Sequence, residues 1–136
     1  MSAWTAPEPG TRLDPRTYTV TRADLVRYAG ASGDFNPIHW SDRVATAVGL
    51  PGVIAHGMYT LALAGRAVAE WTGHAEVVEL AAKFTAPVVV PDDDNGVEVT
   101  VAATVQKVED GRATLALEVT SGGAKVLGRP TAVVRA

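Results

Sequence analysis

The chain has 136 residues, 47% of them apolar and 20% charged, with a formal charge of −3 from 12 basic and 15 acidic side chains. This length suits one core that buries roughly two-thirds of the unfolded chain's surface, so a single domain over residues 1–136 is expected. The composition excludes a disordered chain, and the acidic balance excludes a phosphate-gripping basic surface, hence a nucleic-acid partner. There is no cysteine, so disulfides, thiolate metal sites and cysteine nucleophiles are absent, and imidazole chemistry falls to His39, His56 and His74. No stretch approaches the ~20 apolar residues of a membrane span. Met1–Gly10 lacks the basic region and apolar run of a secretory signal. A cytoplasmic protein is expected.

Pro7, Pro9 and Pro15 predict an extended, wrapping lead-in, followed by a short strand at Tyr18–Val20. Thr21 and Asp24 have capping-box spacing, which predicts a helix to about Ala31 with Leu25, Val26, Tyr28 and Ala29 on its buried side. Gly33 and Pro37 break that helix. Ser41 caps a second, short helix through Val48, stopped by Gly49 and Pro51. Gly57–Thr72 reads as a long helix, apolar nearly all round except at Arg66 and Glu70, and therefore buried.

The second half is rich in valine, which favours strands. Phe84–Val90, Val97–Val108, Arg112–Thr120 and Lys125–Val134 are the predicted strands. Asp94-Asn-Gly96, Glu109-Asp-Gly111 and Ser121-Gly-Gly123 are the turn signals between them. Pro130 predicts a bulge, an edge or a break in the last strand. Helices followed by an antiparallel meander predict an α+β fold, one sheet packed on a central helix. Asp92-Asp-Asp-Asn-Gly96 lacks the first and twelfth ligands of a calcium loop and reads as a hairpin turn. No glycine-rich phosphate loop is present. No nucleotide cofactor is therefore indicated; His39, His56 and Asp34 are of metal-ligating type, but no two histidines have i, i+4 spacing and no metal is expected.

Chemistry concentrates in Gly33-Asp34-Phe35-Asn36-Pro37-Ile38-His39. A carboxylate and an imidazole lie five positions apart on a loop shaped by glycine and proline, which can aim both into one cleft. On the bland reading Asp34 caps a turn and His39 is a satisfied buried histidine. Tyr28–His39 as a whole, the downstream Ala45, and Ile54-Ala-His-Gly-Met58 resemble the signature of the MaoC-like, or hydratase 2, family. Trp40 directly after His39, and Gly128-Arg129 near the end, make the chain similar to the catalytic beta subunits of actinobacterial (3R)-hydroxyacyl-ACP dehydratases within that family.

The resemblance implies a hot-dog fold and a hydro-lyase. The implied reaction is reversible syn hydration of a trans-2-enoyl thioester to a (3R)-3-hydroxyacyl thioester, carried on CoA or acyl carrier protein (ACP) with no further cofactor. It implies that Asp34 and His39 together hold and activate the water, general acid–base help worth roughly 10²–10⁴-fold. Negative charge then builds on the thioester oxygen, and Gly57 is the candidate donor, at the start of the long helix where N–H groups are free. On the bland reading Gly57 only permits a tight loop-to-helix turn. His56 lines the site or, more in keeping with a pair already filling the catalytic roles, holds the loop. Asn36 shapes the loop, Ile38 packs beneath the pair, and His74 is an exposed turn residue. Arg66, Lys83, Lys125 and Arg129 are candidate contacts for a phosphopantetheine phosphate or an acidic carrier, weighed against being plain solvated charges. The leading expectation is a (3R)-hydroxyacyl-ACP dehydratase of fatty-acid-type elongation. The alternatives are an (R)-specific enoyl-CoA hydratase and a non-catalytic hot-dog subunit that binds acyl chains or stabilises a partner. A homodimer, or a heterodimer with a related hot-dog subunit, is expected to complete the binding tunnel.

Overall fold

Strict alternation of side chains builds the centre of the molecule. The structure, a computed structural model, describes residues 4–136. In strand β3 (Val97–Glu109), Val99, Val101, Ala103 and Val105 point into the core, and in β4 (Arg112–Ser121) Ala113, Leu115, Leu117 and Val119 do the same. The two strands pair antiparallel from Thr100↔Thr120 to Glu109↔Arg112. Asp110 and Gly111 turn between them at φ of 54° and 72°. Two successive positive φ values are what a tight hairpin with right-handed twist requires.

Strands β1 (Arg12–Val20), β2 (Val77–Phe84), β5 (Ala124–Lys125) and β6 (Leu127–Arg135) complete an antiparallel sheet in the order β1-β3-β4-β6-β2, with β5 paired to β4. Helix α3 (Gly57–Thr72) lies on it, burying Thr60, Leu63, Ala64, Ala67, Val68 and Thr72. This is the predicted α+β hot-dog arrangement. The small side chains of Ala64 and Ala67, both 0% exposed, bring helix and sheet close. The helix is not buried all round, because Met58, Ala62, Arg66 and Glu70 form an exposed stripe.

Helix α1 (Arg22–Ser32) starts with the predicted box: Thr21 Oγ1 accepts from the Asp24 N–H, and Asp24 Oδ2 accepts from the Thr21 N–H at 2.8 Å. It packs through Leu25 and Ala29. Val26 is 63% exposed, contrary to expectation, and Tyr28 is half-buried. The reason is the narrow i, i+4 stripe, from which Val26 is rotated by about 100°. Helix α2 (Asp42–Ala47) has Ser41 as its N-cap, as read from the sequence.

Three strand expectations are corrected. Strand β1 begins at Arg12 rather than Tyr18, because a register shift between Leu13 and Arg16 absorbs Pro15. Phe84–Val90 is not a strand of the sheet; the strand lies before it, in β2, and 85–90 carries a single bridge, Ile54↔Val89. Pro87 interrupts that stretch, whose backbone instead holds the loop before α3: Ala55 N–H donates to Val88 at 2.9 Å and Val90 N–H to Val53 at 2.9 Å. Since β2 pairs with β6 and not with β3, the 92–96 segment is no hairpin; Asp93 Oδ1 closes it, accepting from Asn95 and Gly96. Lys125–Val134 is split at Val126 into β5 and β6. The irregularity expected at Pro130 is present: opposite β2 the partner of Ala81 is Thr131 and that of Lys83 is Gly128, with Arg129 at φ 46° between.

Candidate active site

The loop after α1 is built by short-range polar bonds. Gly33 caps the helix in the left-handed region at φ 78°, its N–H donating to Ala29 at 2.9 Å. Asp34 Oδ1 accepts from the Asn36 N–H, and Asn36 Oδ1 accepts from the Ile38 N–H, each at 3.2 Å. These Asx turns lead into a single 3-10 turn, Pro37–His39. Asn36 thus takes part in two turns of the loop, one through its N–H and one through its Oδ1.

One Asp34 oxygen is thus tied to the loop. The other, Oδ2, faces His39 Nε2 at 3.9 Å. The His39 ring is 7% exposed, and its Nδ1 lies 2.7 Å from the Ile54 carbonyl. A carbonyl only accepts, so Nδ1 carries a proton, and in the neutral ring it is Nε2 that presents a lone pair towards Asp34. Ile38 binds the same segment, its carbonyl accepting from the Ile54 N–H at 3.1 Å.

His56 stacks on His39, with centroids 3.8 Å apart and planes at 22°, and meets the Tyr28 ring edge-on at 4.7 Å. Its Nε2 donates to the Asp34 carbonyl at 3.1 Å, the loop-holding bond. Its Nδ1 is buried without a hydrogen-bond partner among the described residues. Burial, with the nearby His39, holds its pKa below the ordinary 6.5, despite the opposing bond to Asp34.

Asp34, His39 and His56 each offer a ligand atom within 4.8 Å of the others. The geometry does not suit a shared ion. A metal lies in the plane of each ligating imidazole, about 2.0–2.1 Å from its nitrogen. Two rings stacked face to face cannot both aim at one point at that range.

Gly57 opens α3. No backbone acceptor among the described residues meets its N–H, as is usual for a first helical residue. A cavity of about 420 Å³ has Gly57 and His39 in its wall, with Ile54, Phe84, Val88 and Leu127. Phe84 lies directly over the glycine: a Cβ there would meet three ring carbons at 3.0–3.1 Å. No residue pattern pointed to this ring's place, nor to the Ile54 carbonyl, since a main-chain acceptor has no residue type. His74 is exposed in the turn after α3, as expected. Arg66 is remote in its contacts, stacked 4.6 Å over the Tyr18 ring and paired with Glu70 at 3.7 Å.

The chain has counterparts among known proteins. A family model described as "MaoC like domain" matches residues 5–124. The chain belongs to that family. Over 119 residues, 84% of this chain, it is 39% identical to the 3-hydroxyacyl-thioester dehydratase Y of Mycobacterium tuberculosis (strain ATCC 25618 / H37Rv). A solved MaoC-like dehydratase superposes on 95% of this chain with a TM-score of 0.90 and 32% identity. The (R)-hydratase from A. caviae involved in PHA biosynthesis superposes with a TM-score of 0.83 and 25% identity, covering 96% of this chain and 97% of that one. This MaoC-like chain spans 39% of the dehydratase Y sequence and 40% of the first superposed chain. No helix among the described residues is long and apolar enough to cross a membrane.

Proposed function

We propose that residues 1–136 act as one hot-dog unit that hydrates trans-2-enoyl thioesters reversibly to (3R)-3-hydroxyacyl thioesters. The observation that carries this reading is the 3.9 Å separation of Asp34 Oδ2 and His39 Nε2, with the Gly57 N–H, unpartnered among the described residues, in the wall of the cavity that His39 also lines. The gap is too wide for a direct hydrogen bond and suits one water held by both. His39 Nε2 takes a proton from that water as its oxygen bonds to C3. The π electrons move towards the thioester, whose oxygen gathers charge and accepts from the Gly57 N–H. C2 then takes the proton back from the Asp34–His39 pair, so H and OH add from one face. Dehydration runs the same steps in reverse. The half-exposed Asp34 and the buried, carbonyl-locked His39 divide the work between holding water and moving its proton.

The likeness to dehydratase Y, a 3-hydroxyacyl-thioester dehydratase, supports the dehydration direction; the reading taken with it is of chains carried by ACP in fatty-acid-type elongation, in the cytoplasm and without a separate cofactor. The near full-length likeness to the A. caviae (R)-hydratase supports a second reading, hydration of enoyl-CoA. A hot-dog partner, a second copy or a related chain, completes the tunnel. Phe35, Trp40, Met58 and Phe84, all exposed and next to or over site residues, and the outer edge of β2, unpaired among the described residues, are surfaces for it.

Crotonyl-CoA hydration by the purified chain tests the assignment. Asp34→Asn and His39→Ala are each expected to lower kcat by roughly 10²-fold or more. Unchanged rates in both variants would overturn the roles given to Asp34 and His39, whereas a wild-type chain that hydrates nothing would leave the non-catalytic, acyl-binding subunit as the reading. Competing crotonyl-ACP against crotonyl-CoA decides the carrier.

A further inference from the structure

Five of the chain's twelve cations are held in ion pairs among the described residues. Arg22, Arg27, Arg66, Lys107 and Arg135 each pair with a carboxylate. Lys83, Lys125 and Arg129 have no ion pair among the described residues, and they converge on one corner. A hollow of about 470 Å³ there is lined by Lys125, Gly128 and Arg129 with Thr85, Leu127 and one carboxylate, Glu118. Lys83 borders it, since a Cβ on Gly128 would lie 3.4 Å from that of Lys83, its partner across β2 and β6. Thr85 Oγ1 donates to the Lys125 carbonyl at 3.1 Å, fixing the junction.

Two facts give this corner a direction. Thr85 and Leu127 also line the site cavity, so the hollow adjoins it. Arg129 stands at φ 46°, a region costly for a side chain that is not glycine. Such strain is kept where the placement of the side chain has a use. Elsewhere the site cavity is walled by Leu50, Ile54, Pro87 and Val88, which suit a hydrocarbon chain.

We propose that Arg129 and Lys125, with Lys83 beside them, grip the phosphate ester at the end of the substrate's pantetheine arm, while the acyl chain takes the apolar end. This rests on the thioester reading above and adds the residues that recognise the carried arm. The same phosphate occurs in CoA and on ACP.

The test compares crotonyl-4′-phosphopantetheine with crotonyl-pantetheine, which share the reacting thioester and differ by one phosphate. Arg129→Gly removes the charge at a backbone position that glycine prefers, and so keeps the fold; Lys125→Gln is combined with it. The ratio of kcat/KM for the phosphorylated over the plain thioester is expected to fall about tenfold or more, the effect of one lost charge-assisted bond. A comparable fall relative to crotonyl-pantetheine is expected with crotonyl-CoA and with crotonyl-ACP. An unchanged ratio overturns the proposal, and so does a loss confined to crotonyl-CoA, which assigns the cations to its nucleotide phosphates. Calorimetric binding of CoA needs no turnover: Kd is expected to weaken about tenfold in the double variant, and an equal Kd overturns the proposal. A wild-type chain that binds CoA with this dependence, yet hydrates no thioester, overturns the hydratase reading alone.

Discussion

Gly57→Ala places one methyl group at the point where the proposed mechanism has the least room. The new Cβ would lie 3.0–3.1 Å from three carbons of the Phe84 ring, a few tenths of an ångström inside ordinary contact. Phe84 is 59% exposed and can swing aside at small cost. Alanine in place of glycine at a compatible backbone angle stabilises a protein by about 0.4–1 kcal/mol through the unfolded chain. The melting temperature should therefore hold or rise by about 2–5 °C. Catalysis should respond in the opposite sense. A thioester oxygen held off the Gly57 N–H loses an interaction worth roughly 10²–10³ in kcat. The assay is crotonyl-CoA hydration followed by loss of the enoyl absorbance, with thermal melts on the same samples. Phe84→Ala frees the ring's space without returning the donor, so the double variant should remain slow. A Gly57→Ala chain with full kcat would refute the role of this N–H. A rate restored by Phe84→Ala would show that the ring, and not the donor, carried the effect.

Two further outcomes are expected. Burial holds His56 neutral with a pKa below 6.5, so the unfolded chain binds a proton that the folded chain refuses. Its contribution is present above that ordinary value and is lost as pH falls towards the folded one, so the melting temperature should drop between about pH 7 and pH 5. His56→Gln keeps an N–H for the Asp34 carbonyl and should flatten that slope; an identical slope in differential scanning calorimetry would rule out His56 as its source. Thr21→Ala removes the acceptor that caps α1 and should cost about 1 kcal/mol, read as a shift in denaturant midpoint at constant m. The rate well below the melting temperature should not change, because Asp34 is held by bonds downstream of that cap.

Where local chemistry decides an element, the sequence was readable. Thr21 with Asp24, Gly33, Ser41 and the Gly57–Thr72 span all act through neighbours within a few residues, and their bounds match the structure closely. The β3–β4 hairpin was equally plain, because alternation and a two-residue turn agree. Strand β2 was not. Glu79, Ala81, Ala82 and Lys83 are poor strand formers, and its pairing is dictated by β6, some fifty positions later in the chain. The valines of 88–90 pointed to a strand, yet their main chain is spent on the loop before α3. The site divides the same way. Asp34, His39 and Gly57 were legible as residue types in a pattern. The Ile54 carbonyl and the Phe84 ring reach the site only through tertiary folding, and neither leaves a trace in local spacing.

The hydrogen bond from His39 Nδ1 to Ile54 has a consequence for how this site tolerates change. The proton that fixes the tautomer is parked on a main-chain oxygen, which every amino acid possesses. Replacing the side chain at position 54 alters the cavity wall but leaves that oxygen in place. A one-residue insertion or deletion between 50 and 56 would instead swing it away, breaking the bonds that tie Ile54 to Ile38 and Ala55 to Val88. The state of the imidazole is thus written in the spacing of the chain and not in its letters. Variation in that segment should be permissive in identity and intolerant in length.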